Sequence, residues 1–160
     1  MQATLASLAA FPAVVRRIVE AADPSLRTKR PSTGLFALVE QAWHLADLEV
    51  EGYGVRIKRI LTEDNPSLPD FRGDVVARER NYLALDVNAG LTRFADARAR
   101  NLARLAQLTA AQWQRAGVQE GVGVVTLERL ALMMREHDAS HEEELGEVGG
   151  ELGVALVSRE

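Results

Sequence analysis

From Thr4 to Gly146 the apolar residues recur three and four positions apart, and strict alternation of apolar and polar residues is scarce. That spacing puts them on one stripe of a helix with about 3.6 residues per turn, so the pattern predicts an all-α chain in which each helix buries one face. In a first segment, about Thr4 to Ala22, the stripe is Leu8, Phe11, Val15 and Ile18, with Pro12 either kinking the helix or starting it. Ala22-Asp23-Pro24-Ser25 reads as a turn, which the polar run through Lys29-Arg30-Pro31 lengthens into a loop. The second segment, about Leu35 to Leu61, contains no proline and follows a candidate N-cap at Ser32 or Thr33. At 1.5 Å per residue it predicts a rod of roughly 40 Å, the length of a bundle helix.

Asn65-Pro66-Ser67-Leu68-Pro69-Asp70 breaks the pattern, and a third helical region runs from about Val75 to Leu108. Asp86 is placed to cap a restart inside it, and its stripe is Leu83, Val87, Leu91, Phe94, Arg98, Leu102 and Leu105. After Gly121-Val122-Gly123, Thr126 can cap a fourth segment reaching about Gly146, with Leu127, Leu130, Met134, His137, His141, Leu145 and Val148 on one stripe. Four amphipathic helices joined by moderate loops predict a four-helix bundle with long helices and a single core over residues 1–148. Gly149-Gly150 opens a short tail, residues 149–160.

Composition narrows the functions available. The 160 residues suit one domain, and no stretch approaches the roughly 18 to 20 uncharged apolar residues of a membrane span. The start Met1-Gln2-Ala3-Thr4-Leu5 lacks the basic region of a secretory signal, so a cytoplasmic protein is expected. With no cysteine there is no disulfide framework, thiol nucleophile or iron–sulfur ligation, and any thiol chemistry must use a borrowed thiol. A formal charge of −4, and no basic run beyond Lys29-Arg30, gives no electrostatic footprint for nucleic acid.

There are three histidines, and two are four residues apart. Side chains at i and i+4 share a helix face, so His137 and His141 can reach one ion, and both fall on the inward stripe. Asp138 follows His137 where a HExxH metalloprotease would carry its glutamate. The pair alone therefore leaves two readings open, an ion site or two interior histidines satisfied by neighbouring carbonyls. His44, central in the second segment on a face with Gln41, Leu48, Gly52 and Val55, adds a third imidazole. Three imidazoles leave a tetrahedral ion one open position for water or substrate.

Trp43-His44-Leu45-Ala46-Asp47-Leu48-Glu49 and His137-Asp138-Ala139-Ser140-His141 resemble the DinB-like superfamily of bacterial metal-binding four-helix bundles. Phe94 to Arg98, Trp113 to Gly117 and Gly123 to Leu127 look like further pieces of that pattern, which covers roughly residues 35 to 145. The resemblance implies His44, His137 and His141 as ligands of a divalent ion. Zinc or nickel is expected first, with iron, manganese or copper as alternatives. It also implies a homodimer, and an enzyme that moves a group to or from a low-molecular-weight thiol, a transferase. Because a bound dication would acidify water as well as a thiol, hydrolysis of a small molecule by a metal-dependent hydrolase is the variant of that reading. The alternative is a non-catalytic, stress-related metal-binding or dimerisation bundle. Glu144 stands where members often have Gln, within the acidic run Glu142-Glu143-Glu144.

Other side chains are weaker candidates. Gln41 and Asp47 could support a ligand imidazole, Asp47 being better placed than Glu49, which is five residues from His44 and off its face. Arg98, on the core stripe, could meet an anionic substrate or a carboxylate, or pack its stem and turn its head to water. Met133, Met134, Trp43 and Trp113 read as packing residues, and the tail Gly153-Val154-Ala155-Leu156-Val157 as an apolar contribution to the dimer.

Overall fold

A computed structural model describes residues 1–153, and all of the apolar tail beyond Gly153 lies outside the described residues. Helix α1 spans Gln2–Ala21 with Pro12 in its interior, so the proline does not start the helix. Asp23 then accepts from Ser25 N at 2.8 Å and opens a short 3-10 turn, Pro24–Leu26. Helix α2, Leu38–Asp47, begins later than the expected cap, where the Glu40 carboxylate folds back onto Ala37 N at 3.0 Å. Ser32 serves elsewhere: its backbone N–H donates to Glu151 at 2.8 Å, tying the loop to the far end of the chain.

The second rod is not α-helical throughout. A π-helical turn, Leu48–Tyr53, joins α2 to α3, Gly54–Thr62. The third region also divides, into α4 (Gly73–Glu79), a 3-10 turn (Tyr82–Ala84) and α5 (Val87–Leu105). Asp86 caps α5 as its position predicts, accepting from Ala89 N at 2.7 Å. A short α6, Ala110–Trp113, follows. Thr126 caps α7, Leu127–Glu151, by accepting from Arg129 N at 3.0 Å. Helix α7 runs through Gly146, Gly149 and Gly150, because burial of Leu145 and Val148 outweighs a glycine penalty of about 1 kcal/mol each.

The expected all-α class needs one correction. Strands β1 (Ser67–Leu68), β2 (Ala116–Gln119) and β3 (Gly123–Thr126) form a small sheet in that order, parallel then antiparallel. Gly121 and Gly123 take φ of +75° and +97°, which suits a tight hairpin, and Val118, Val124 and Val125 favour extended backbone. At Gly117 a Cβ would lie 2.8 Å from the Leu68 side chain and from Pro66 O, so glycine lets β1 close onto β2.

The bundle itself consists of α1, the α2–α3 rod, α5 and α7. Helix α1 packs on α5 and α7, and α2 packs on the same pair. The core is divided, not single. One apolar cluster gathers Phe11, Val15, Leu38, Leu45, Leu91, Phe94, Leu145 and Val148; the other gathers Leu8, Ile57, Ile60, Leu105, Leu127, Leu130 and Met134. On α5 and α7 the buried polar residues Arg98, Asp138 and His141 fall between those two sets. No described helix is long and apolar enough to cross a membrane.

Candidate metal centre

Helix periodicity brings the three histidines together. One ring nitrogen from each of His44, His137 and His141 lies within 4.8 Å of the others, and among the described residues this group contains no carboxylate. The ring centroids of His137 and His141 are 4.3 Å apart, and His44 lies 5.0 Å from His141 and 5.7 Å from His137. Nε2 of His137 and Nε2 of His141 are 3.1 Å apart. Two nitrogens bound at 2.0–2.1 Å to one tetrahedral ion would stand roughly 3.3 Å apart, so this pair is already at ligand spacing.

A hydrogen-bond chain sets the tautomer of His141. The Gln41 amide donates through Nε2 to Glu144 Oε2 at 2.9 Å, which turns its Oε1 toward the imidazole. Nδ1–H of His141 donates to that oxygen at 2.6 Å, leaving Nε2 with its lone pair facing the cluster. Among the described residues, Nδ1 of His44 and Nδ1 of His137 are buried without a hydrogen-bond partner. Around them Phe36 and Phe71 lie 5.7 and 6.0 Å from His44, and Tyr53 stands edge-on 6.1 Å from His137. A Cβ at Gly73 would come within 2.4 Å of His44 Cε1, so glycine leaves the room that ring occupies.

Burial keeps all three rings neutral. Desolvation lowers His44 and His141 from 6.5 to about 4, with the neighbouring His141 adding to the effect on His44. His137 drops to about 2 for the same first cause, reinforced by the other two imidazoles and by Arg98 and Arg56. Neutral imidazoles present lone pairs, so the donor set fits a borderline divalent ion.

Arg98 does not turn to water. It is 1% exposed, donates through Nη1 to Leu8 O at 3.0 Å and to Asp138 Oδ2 at 2.6 Å, and places Nε 3.0 Å from Glu49 Oε2. Its carboxylate neighbours outweigh desolvation and hold it charged. Burial raises Asp138 to about 6 despite the arginine. Arg98 thus links α1, the π turn and α7 beside the histidines, without reaching an imidazole in any hydrogen bond.

Asp47 corrects another expectation. It accepts from the Tyr82 hydroxyl at 2.7 Å and from Arg93 at 3.1 Å, pairs with Arg80, and makes no hydrogen bond to an imidazole among the described residues. Glu49 goes to Arg98 and to Asn101 Nδ2, the latter at 2.9 Å. Trp43 donates to Asp86 O at 2.9 Å and stacks on Tyr82, while Trp113, Met133 and Met134 pack in the second apolar cluster. Tyr53, Phe71 and Gly73 are neighbours of the centre that spacing did not reveal, because they come from a π turn, a loop and the first residue of α4.

Residues 7–145 match the model of the DinB superfamily. Among solved structures, YfiT from Bacillus subtilis superposes with a TM-score of 0.87 at 22% identity, covering 96% of this chain and 88% of that one. That protein is described as a probable metal-dependent hydrolase with an unusual four-helix bundle topology. No curated protein matches the chain.

Proposed function

The chain belongs to the DinB superfamily, and from that membership and the geometry of its histidines we propose a divalent-metal-dependent enzyme that hydrolyses a small molecule. The observation that carries this reading is the convergence of His44, His137 and His141, neutral and inward, with the His141 tautomer set through Gln41. Three protein ligands without a fourth is the arrangement of catalytic ions, whereas structural sites are usually closed by four. When bound, a divalent ion would supply Lewis acidity, polarising a substrate oxygen and acidifying a water or an incoming thiol. The chain's own part is to hold three lone pairs in place, to orient His141, and to wall the site with Phe36, Phe71 and Tyr53. The description of YfiT supports hydrolysis over group transfer.

The test is elemental analysis of the purified chain, followed by assay of the zinc, nickel, iron and manganese forms on esters, amides and phosphoesters, with and without a small thiol. Turnover without thiol is expected. Turnover only with thiol would replace hydrolysis by transfer to or from that thiol, and an ion bound without turnover on any substrate would favour a binding protein.

A further inference from the structure

Arg56, in the first turn of α3, is the second buried guanidinium of the bundle and is treated very differently from Arg98. It is 5% exposed. Nε and Nη2 donate to Pro69 O at 3.1 and 3.0 Å, and among the described residues no carboxylate stands within ion-pair distance of it. A buried cation normally has a counter-charge, since removing it from water costs several kcal/mol. Burial disfavours the charged form of Arg56, and the charge effects of Tyr53 and Asp70 offset it only in part.

Its surroundings connect it to the histidines. The Arg56 guanidinium carbon lies 5.7 Å from the centre of the Tyr53 ring, and that ring stands 6.1 Å from His137. Pro69, which takes two of its donors, belongs to the loop that carries Phe71 and Gly73 against His44. Among the described residues, the side-chain polar atoms that are wholly buried without a hydrogen bond are His44 Nδ1, Arg98 Nε, Gln119 Oε1 and His137 Nδ1. Arg56 Nη1 and the Tyr53 hydroxyl, for which no hydrogen bond occurs among those residues, are outside that set and therefore reach solvent.

Of the negative charges near the centre, Glu49 and Asp138 are held by Arg98, and Glu144 stands 3.4 Å from Nδ1 of His141. A divalent ion at the histidines would add two positive charges near a guanidinium that Asp70 offsets only in part. We propose that Arg56, with the Tyr53 hydroxyl beside it, receives the anionic group, a carboxylate or a phosphate, of the substrate acted on at the three-histidine centre. This rests on the metal-dependent reading above.

The experiment loads the full chain with Co(II) and follows its visible absorption while acetate or inorganic phosphate is added. Saturable spectral change is expected. Arg56→Gln should weaken the anion response by about tenfold or more, as for loss of a charge-assisted hydrogen bond, and leave cobalt affinity within about threefold. Tyr53→Phe should weaken it less. An Arg56→Gln response equal to that of the unmodified chain overturns the proposal. Should that variant lose its helical circular dichroism, nitrogen-15 NMR of the arginine side chains in the unmodified zinc-loaded protein decides instead. A shift of the Arg56 signal on adding phosphate supports the subsite, and an unmoved signal overturns it. A chain that binds no cobalt at all fails the metal reading, a result distinct from either.

Discussion

Gln41 and His141 are 100 residues apart in the chain, and Gln41 Oε1 accepts from His141 Nδ1 at 2.6 Å. The bond is directional because the other end of the same amide is committed to Glu144. Replacing Gln41 with Leu removes the acceptor and leaves the imidazole free to change tautomer and tilt. Loss of such a partner typically costs 10- to 100-fold in metal affinity, so Q41L should bind zinc weaker by about that factor with its fold intact. Competition with a chromophoric chelator, beside a melting curve, checks both halves.

His141→Ala takes a ligand away outright. Bound metal should fall to a small fraction of stoichiometric while helical circular dichroism is kept, since the two apolar clusters hold the helices without it. Collapse of the helical signal would show the centre to be structural.

Gly73→Ala attacks the same centre from outside the ligand set. Its added Cβ would lie 2.4 Å from His44 Cε1 and 2.5 Å from His44 Nδ1. The imidazole must shift, and because the φ of Gly73 is not in the left-handed region, alanine brings no backbone strain to the start of α4. Metal affinity should drop at least about tenfold with a stability change below about 1 kcal/mol, the usual range for a substitution whose backbone conformation is permitted. Calorimetric titration with zinc measures the first and thermal unfolding the second.

Asp138→Ala leaves Arg98 buried with half of its counter-charge. Breaking one side of a buried ion pair commonly costs about 3–5 kcal/mol, so this variant should melt well below the unmodified chain. Its loss should far exceed that from Glu136→Ala, which removes an exposed partner of Arg129.

The acid limb of stability follows from the lowered histidines. In the unfolded chain they take up protons near pH 6.5, whereas in the fold His44 and His141 wait until about 4. The unfolded state therefore binds more protons across that window, and the histidines' contribution, complete above 6.5, is lost as the pH falls toward 4. Asp138, raised from 3.8 to about 6, acts oppositely over part of the range, and one carboxyl against three imidazoles does not reverse the trend. Excess zinc should raise the melting midpoint near neutral pH and lose that effect in acid, as protons displace it. A shift equally large at the acid end would place the ion elsewhere.

Much of this was written locally in the chain. His137 and His141 could be paired on one face because four residues make nearly a full turn, and Asp86 and Thr126 were readable as caps from chemistry and position. What escaped depended on distant partners. Asp47 looked free to serve His44, yet Arg80 and Arg93, 33 and 46 residues further on, claim it. Strands β2 and β3 are four residues each, too short for alternation to stand out beside helical stripes. The pairing of Arg98 with Asp138 crosses the bundle between α5 and α7, and one-helix periodicity carries no word of what faces it.

The π turn at Leu48–Tyr53 makes the width of one turn, and not only the identity of its side chains, a heritable trait of the site. A π turn holds one residue more than the α-helix it interrupts and takes it up within a widened turn, so the helices on either side keep their facing. If the same six residues tightened to a regular α-helix, everything after them would swing by about 100°. Ile57 and Ile60, both fully buried, would be turned out of the core in the same stroke that carried Arg56 away from His137. Substitutions that keep the wide turn can drift through this segment, whereas a lineage in which it closed up without losing a residue would forfeit packing and the His137 flank together.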